Sequence, residues 1–304
     1  MATVVALREV GWRAEAALRR TRGEARVLAV LSGSLYLTVD AELGESWGVE
    51  ADHRRLRDAP AWGRLPGPST SLIWLGTVGA ALHGRAIVTA GPWPDVTPGE
   101  TVELDGRGAR VWRPCTVAFT LATDELRSSA RALMAALASL APPPGFGALV
   151  AGGPLAFPLE RATVPARALA EACTADDAEA AAMAAVELVG LGPGLTPAGD
   201  DFVGGAFFAR ARLGAGAGES TTRWAQAAAA VVDAARERTH PISLTLLMDL
   251  VSGHGHAPLH ELTNALGTRA PLAQTLDTAR RVTRIGHSSG WDMLAGFVIA
   301  LGGP

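Results

Sequence analysis

The chain has 304 residues, 48% hydrophobic and 19% charged, with a formal net charge of −3. That supplies enough apolar material for a sizeable core in one large or two ordinary domains, and it excludes a basic footprint for nucleic acid or a polybasic segment for a membrane surface. All 27 basic residues are arginine, so a Schiff-base lysine, a biotinyl lysine and an ATP-binding P-loop are excluded as well. Cys115 and Cys173 lie far apart without metal-ligand spacing, which fits a reducing compartment and no disulfide framework. Arg8, Glu9 and Arg13 interrupt the start of the chain, unlike a signal peptide. The longest apolar runs, such as Met293 to Leu301, are too short to span a bilayer. The expectation is a cytoplasmic protein.

Residues 1–120 read as a β-rich domain. Strands are predicted at 26–31, 34–39, 71–76, 85–90, 101–104 and 109–112, each bounded by Gly, Pro or Asp turn signals. Short strands at this spacing suggest a small barrel or sandwich. Most tryptophans fall in this half, including Trp47 and Trp62, and read as core or rim packing. Trp224 reads as exposed.

Residues 121–304 change pattern. An amphipathic helix begins at Thr123-Asp124 and runs to Leu140, broken by Ala141-Pro-Pro-Pro-Gly145. Further helices are predicted at 164–173, 175–189, 197–213, 220–237, 241–252, 257–266, 271–284 and 289–301. The fold class is therefore α+β, a β-rich N-terminal domain followed by a mainly helical one with short loops.

The most informative stretch is Gly190-Leu-Gly-Pro-Gly-Leu-Thr-Pro-Ala-Gly-Asp-Asp201, between two helices. Its glycines permit close backbone approach, and a helix start offers unpaired N–H groups and partial positive charge. That suits a small anion. It has an echo: Gly199, Asp201, Gly205 and Ala209 align without gaps to Gly290, Asp292, Gly296 and Ala300. In both helices the Asp, the second Gly and the Ala fall at i, i+4 and i+8, on one helix face, so the two helices are expected to pack closely and bring their N-termini together.

Two more helix starts share the style. In Thr239-His-Pro-Ile-Ser243, Thr239 or His240 is placed to cap and Pro241 sits in the first turn. In Gly286-His-Ser-Ser-Gly-Trp-Asp292, Ser289-x-x-Asp292 resembles a capping box. Convergence of the three would gather Gly192, Gly194, Thr196, Gly199, Asp200, Thr239, Ser243, Ser288, Ser289 and Gly290 as substrate-binding candidates. His287, Asp201 and Asp292 are the catalytic candidates. The bland alternatives are caps for the hydroxyls, dipole partners for Asp200 and Asp201, and a structural histidine. No cofactor is expected, although Asp200, Asp201, Asp292 and His287 would also suit Mg²⁺ and metal-assisted hydrolysis. His254-x-His256-x-x-x-His260 has metal-ligand spacing but reads as a flexible, solvent-facing turn. No Gly-x-Ser-x-Gly elbow is present, which argues against an α/β-hydrolase.

Gly192-Pro-Gly-Leu-Thr-Pro-Ala-Gly-Asp-Asp-Phe-Val-Gly204 and Ile285-Gly-His-Ser-Ser-Gly-Trp-Asp-Met-Leu-Ala-Gly-Phe297 resemble the two most specific signatures of a bacterial family that includes the AllH subunit of oxamate carbamoyltransferase. Thr239 to Ser243 resembles a weaker third. The likeness is strong over 185–302 and looser before it. It implies a carbamoyltransferase-like subunit of allantoin and purine catabolism. Oxalurate and phosphate would be interconverted with oxamate and carbamoyl phosphate, with other protein subunits as partners. Ser220-Thr-Thr-Arg223 lacks the Ser-x-Arg-Thr order of the aspartate and ornithine carbamoyltransferases, so that fold is not implied. The alternatives are a non-catalytic binding subunit and a metal-dependent amide hydrolase.

Overall fold

The computed structural model describes residues 3–39, 71–115, 123–213 and 219–302, and Trp47 and Trp62 lie outside them. The chain divides into two compact units, Met1–Pro114 and Cys115–Pro304.

The first unit contains β1 (Thr3–Gly11), α1 (Trp12–Thr21), β2 (Glu24–Val30), β3 (Ser34–Thr38), β4 (Leu72–Gly76), β5 (Ala86–Thr89), β6 (Thr101–Asp105) and β7 (Arg110–Trp112). The strand order β5-β4-β3-β2-β6-β1 closes through a β1–β5 pairing, and β7 adds a further strand beside β1. The result is a six-stranded barrel with one extra strand, one of the two β architectures expected. Closure removes free sheet edges. β1 serves several partners by splitting its length. Thr3 to Ala6 run parallel to β6, Glu9 to Gly11 run parallel to β7, and Leu7 to Val10 run antiparallel to β5 across a register shift. Alternate residues point inward, so Val5, Leu7, Leu35, Leu37, Ile73, Leu75, Ile87 and Val102 form one buried cluster. Gly11 ends β1 where a Cβ would lie 2.2 Å from the His83 carbonyl oxygen, so only glycine fits that joint.

All six predicted strands are present, but β1 and α1 escaped the sequence reading. They run into one another at Gly11, with no Pro, Asn or Asp turn to announce a boundary.

The second unit is helical: α2 (Thr123–Leu137), α3 (Gly147–Val150), α4 (Thr163–Ala175), α5 (Ala178–Leu188), α6 (Ala198–Leu213), α7 (Glu219–Ala235), α8 (Pro241–Val251), α9 (Ala257–Gly267), α10 (Leu272–Val282) and α11 (Ser289–Gly302). All nine predicted helices are there. α11 is buried from Gly290 to Gly302, as expected of a helix that is apolar all round. Trp224 corrects the expectation of exposure. It is 8% exposed, donates from Nε1 to Asp176 Oδ1 at 2.8 Å and carries the Arg210 guanidinium over its ring. No helix among the described residues is long and apolar enough to cross a membrane.

Candidate functional site

The site is built on the α6–α11 pair. A Cβ on Gly205 would lie 2.0 Å from the Met293 carbonyl oxygen, and one on Gly296 would lie 1.9 Å from that of Phe202. Phe202 and Met293 are themselves aligned in the echo, so the contact is reciprocal and approximately two-fold. Gly199 and Gly290, six residues earlier, make equally close approaches to neighbouring segments, with the Leu188 and Val282 carbonyl oxygens 1.9 and 2.0 Å from a hypothetical Cβ. The small-residue pattern thus does what its spacing suggested. Backbone meets backbone within the first two turns of both helices, and Asp201 and Asp292 flank the crossing at equivalent positions.

The two carboxyl groups are buried, Asp201 7% and Asp292 0% exposed. Asp292 Oδ1 accepts the Phe146 backbone N–H at 2.6 Å. The Ser288 hydroxyl and the Gly147 N–H also favour its charged form, yet burial outweighs them and pushes the carboxyl up to about 7. Asp201 is raised well above the ordinary carboxylate range, first by burial and then by the negative charge of Asp292, against the Ser289 hydroxyl. Two helix N-termini favour carboxylates by only about 0.3–1 kcal/mol each, and desolvation is the larger effect here. Each group keeps one buried oxygen, Oδ2, with no hydrogen-bond partner among the described residues. Neither has an ion-pair partner there.

Asp200, on the next face of α6, has a different job. Its carboxylate accepts the Gly190 N–H at 2.7 Å, the Ser243 hydroxyl at 2.5 Å and the Thr239 hydroxyl. It ties the glycine loop to the start of α8. Burial raises its pKa in spite of these three donors. His240 supplies the α8 N-cap, its Nδ1 accepting the Ile242 N–H at 3.1 Å. That requires a neutral imidazole, and burial holds its pKa down to about 4.

Three details correct the sequence reading. The N–H groups at the start of α6 are not free. Gly199 donates to the Leu191 carbonyl, and Asp200 and Asp201 donate to that of Pro197. A loop whose glycines adopt positive φ, Gly190 at 80° and Gly192 at 110°, folds its own carbonyls back over the helix end. Ser289 and Asp292 do not form a capping box, because Asp292 turns away to the Phe146 N–H. The His254–His260 segment is not solvent-facing. His260 is 3% exposed, accepts the Gly255 N–H at 3.2 Å and packs edge-on against Phe208. Among the described residues no set of three or more His, Cys, Asp or Glu side chains is placed to hold a metal ion.

Toward solvent the site is lined by half-buried Gly192, Gly194, Thr196, Ser288 and Ser289, with His287 exposed. Thr196 Oγ1 and Ser289 Oγ lie 3.4 Å apart, so the starts of α6 and α11 do meet. The start of α8 is tied in through Asp200, whose carboxylate accepts its Thr239 and Ser243 hydroxyls. Gly145, Phe146 and Gly147 were missed. Phe146 stacks on Phe202 with centroids 4.3 Å apart, and a Cβ on Gly145 would lie 2.5 Å from Asp292 Oδ1. The Gly-Phe-Gly triplet after three prolines was the available signal, and it reads locally as no more than a helix break.

Residues 188–301 match the family described as oxamate carbamoyltransferase subunit AllH. Over that segment the resemblance drawn from the two glycine motifs is borne out, and the match takes in both carboxyl-bearing helix starts. The family's description names a subunit of a larger enzyme. The comparisons with curated proteins and with solved structures give no match.

Proposed function

We propose that the chain is a subunit of a carbamoyltransferase acting on a small anionic amide or ureido substrate, the reaction being oxalurate plus phosphate to oxamate plus carbamoyl phosphate and its reverse. The observation that carries this reading is the family match over 188–301, the segment that holds Asp201, Asp292 and His287.

In the forward direction a phosphate oxygen attacks the ureido carbonyl carbon. The bond from that carbon to the oxamate nitrogen breaks, and the nitrogen takes up a proton. Catalysis of this kind rests on positioning and on stabilising charge at the carbonyl oxygen. Thr196, Ser288 and Ser289 offer hydroxyls at the open face, with the backbone of Gly192 and Gly194 beside them. Asp292 and Asp201 orient Ser288 and Ser289, and His287 holds or moves the proton. Asp200, Thr239, Ser243, Gly199 and Gly290 position these groups. In this reading the phosphate and carboxylates meet hydroxyls and loop backbone rather than the α6 N–H groups, which are already bonded.

The test is phosphate-dependent conversion of oxalurate by the chain assembled with the proteins encoded beside it. Turnover is expected to fall about 100-fold or more in Asp201→Asn and His287→Ala assemblies of intact fold. Full turnover in the His287→Ala assembly would remove that residue's role. Full turnover in both would contradict the site.

A further inference from the structure

We propose that Asp201 and Asp292 together bind one divalent cation of the Mg²⁺ class at the α6–α11 crossing. Both side chains are more than nine-tenths buried, at 7% and 0% exposure, and each carries an Oδ2 atom with no hydrogen-bond donor among the described residues. A lone buried carboxylate costs several kcal/mol, and a second one in its field adds repulsion. The usual remedies are an arginine, a ring of N–H donors, a metal, or a proton that a metal can displace. No ion pair reaches either group among the described residues. Asp292 has the Phe146 N–H on Oδ1, with the Gly147 N–H and the Ser288 hydroxyl also favouring its charged form, and its Oδ2 is left without a donor among the described residues.

The remaining donors are hard oxygens. The Ser289 hydroxyl stands beside Asp201, and Thr196 Oγ1 lies 3.4 Å from Ser289 Oγ. Hard oxygen donors of this kind favour Mg²⁺ over softer metals. Mg²⁺ is the ion commonly held by one or two carboxylates, its other positions filled by water and substrate phosphate oxygens. With two protein carboxylates instead of a dedicated cage, the ion exchanges readily. The near two-fold relation of the helices, set by Gly205 on Met293 and Gly296 on Phe202, holds the two carboxylates at equivalent positions about it. Its role toward an anionic substrate rests on the transferase reading, whereas the binding itself does not. A cation there would let an acidic pocket accept a phosphate.

Mn²⁺ is the probe, counted free and bound by its electron paramagnetic resonance signal on the full chain. One Mn²⁺ per chain is expected, displaced by Mg²⁺, with affinity falling about tenfold or more in Asp201→Asn and Asp292→Asn and unchanged in the exposed control Asp233→Asn. Ser289→Ala, which leaves both carboxylates in place, is expected to weaken binding several-fold and serves if the Asn variants fold poorly. No saturable Mn²⁺ binding by the wild-type chain up to about 5 mM, weaker than the weakest protein sites for such ions, overturns the proposal. So does undiminished binding in folded Asn variants. Transfer activity without Mn²⁺ binding sinks the cation site and spares the function, and Mn²⁺ binding without transfer in the full assembly does the reverse.

Discussion

The barrel buries Val5, Leu7, Leu35, Leu37, Ile73, Leu75 and Ile87 in a cluster of side chains that only pack. Its buried hydroxyls are settled locally, Thr38 on Ser71 and Thr89 on the Ala6 carbonyl. The first unit also buries His83 and Arg85 but, among the described residues, no carboxylate, whereas the helical unit buries Asp200, Asp201 and Asp292, with His240, beside Phe146 and Phe202. Burial of an ionisable group is costly unless its hydrogen bonds or charge are matched. Within the helical unit the four groups also divide. Asp200 has both carboxylate oxygens bonded and ties the glycine loop to the start of α8, and His240 caps α8 through Nδ1, while Asp201 and Asp292 each keep an unsatisfied oxygen. The contrast separates groups whose bonds hold the frame from two carboxyls that each keep an unused acceptor.

The sharpest way to break that frame is at the helix crossing. Gly296→Ala puts a methyl group where the Phe202 carbonyl oxygen stands, 1.9 Å from an ideal Cβ. It is expected to cost about 3 kcal/mol or more in urea unfolding, at the upper end of overpacking penalties. A neutral effect would mean that the helices do not touch there.

The His240 cap predicts an acid limb. Its folded pKa of about 4 lies below the ordinary 6.5, so the unfolded chain takes up the proton first. The stabilisation is present above pH 6.5 and is lost as pH falls toward 4, on the order of 3 kcal/mol at the limit. Thermal unfolding between pH 7 and pH 4 should show this limb, and His240→Asn, which caps at any of these pH values, should flatten it.

Asp200→Asn leaves the Ser243 and Thr239 hydroxyls and the Gly190 N–H competing for one carbonyl oxygen. A loss of about 2 kcal/mol is expected by chemical denaturation. Stability unchanged within error would show that the carboxylate does not bind loop to helix.

The smallest effect sharpens the contrast from the other side. Ile73→Val in the barrel core should cost about 1 kcal/mol and leave the response to ligands untouched. A lost ligand response would end the assignment of the site to the helical unit.

Much of this was legible because the signals were local and periodic. The strands from β2 to β7 announced themselves by alternation and turn residues, and the helices by their caps and breaks. The Gly/Asp/Gly/Ala echo foretold the α6–α11 contact because a four-residue repeat fixes one helix face. What escaped depended on tertiary partners. Whether Asp292 returns to its own helix start or crosses to Phe146 is decided by a segment 146 positions away in sequence. The fate of the α6 N–H groups is decided by the fold of a glycine loop. The burial of His260 follows from Phe208 and not from its own Gly-His-Gly-His neighbourhood.

On the proposed function, the open carboxyl pair at the starts of α6 and α11 reads a small anionic ligand. The most direct test is thermal unfolding of the chain with carbamoyl phosphate and Mg²⁺, comparing wild type with Asp201→Asn. A ligand that binds the native state alone raises the midpoint by mass action. The account predicts a concentration-dependent rise in the wild type that is absent in the variant. An equal rise in both, or none in the wild type, would contradict it.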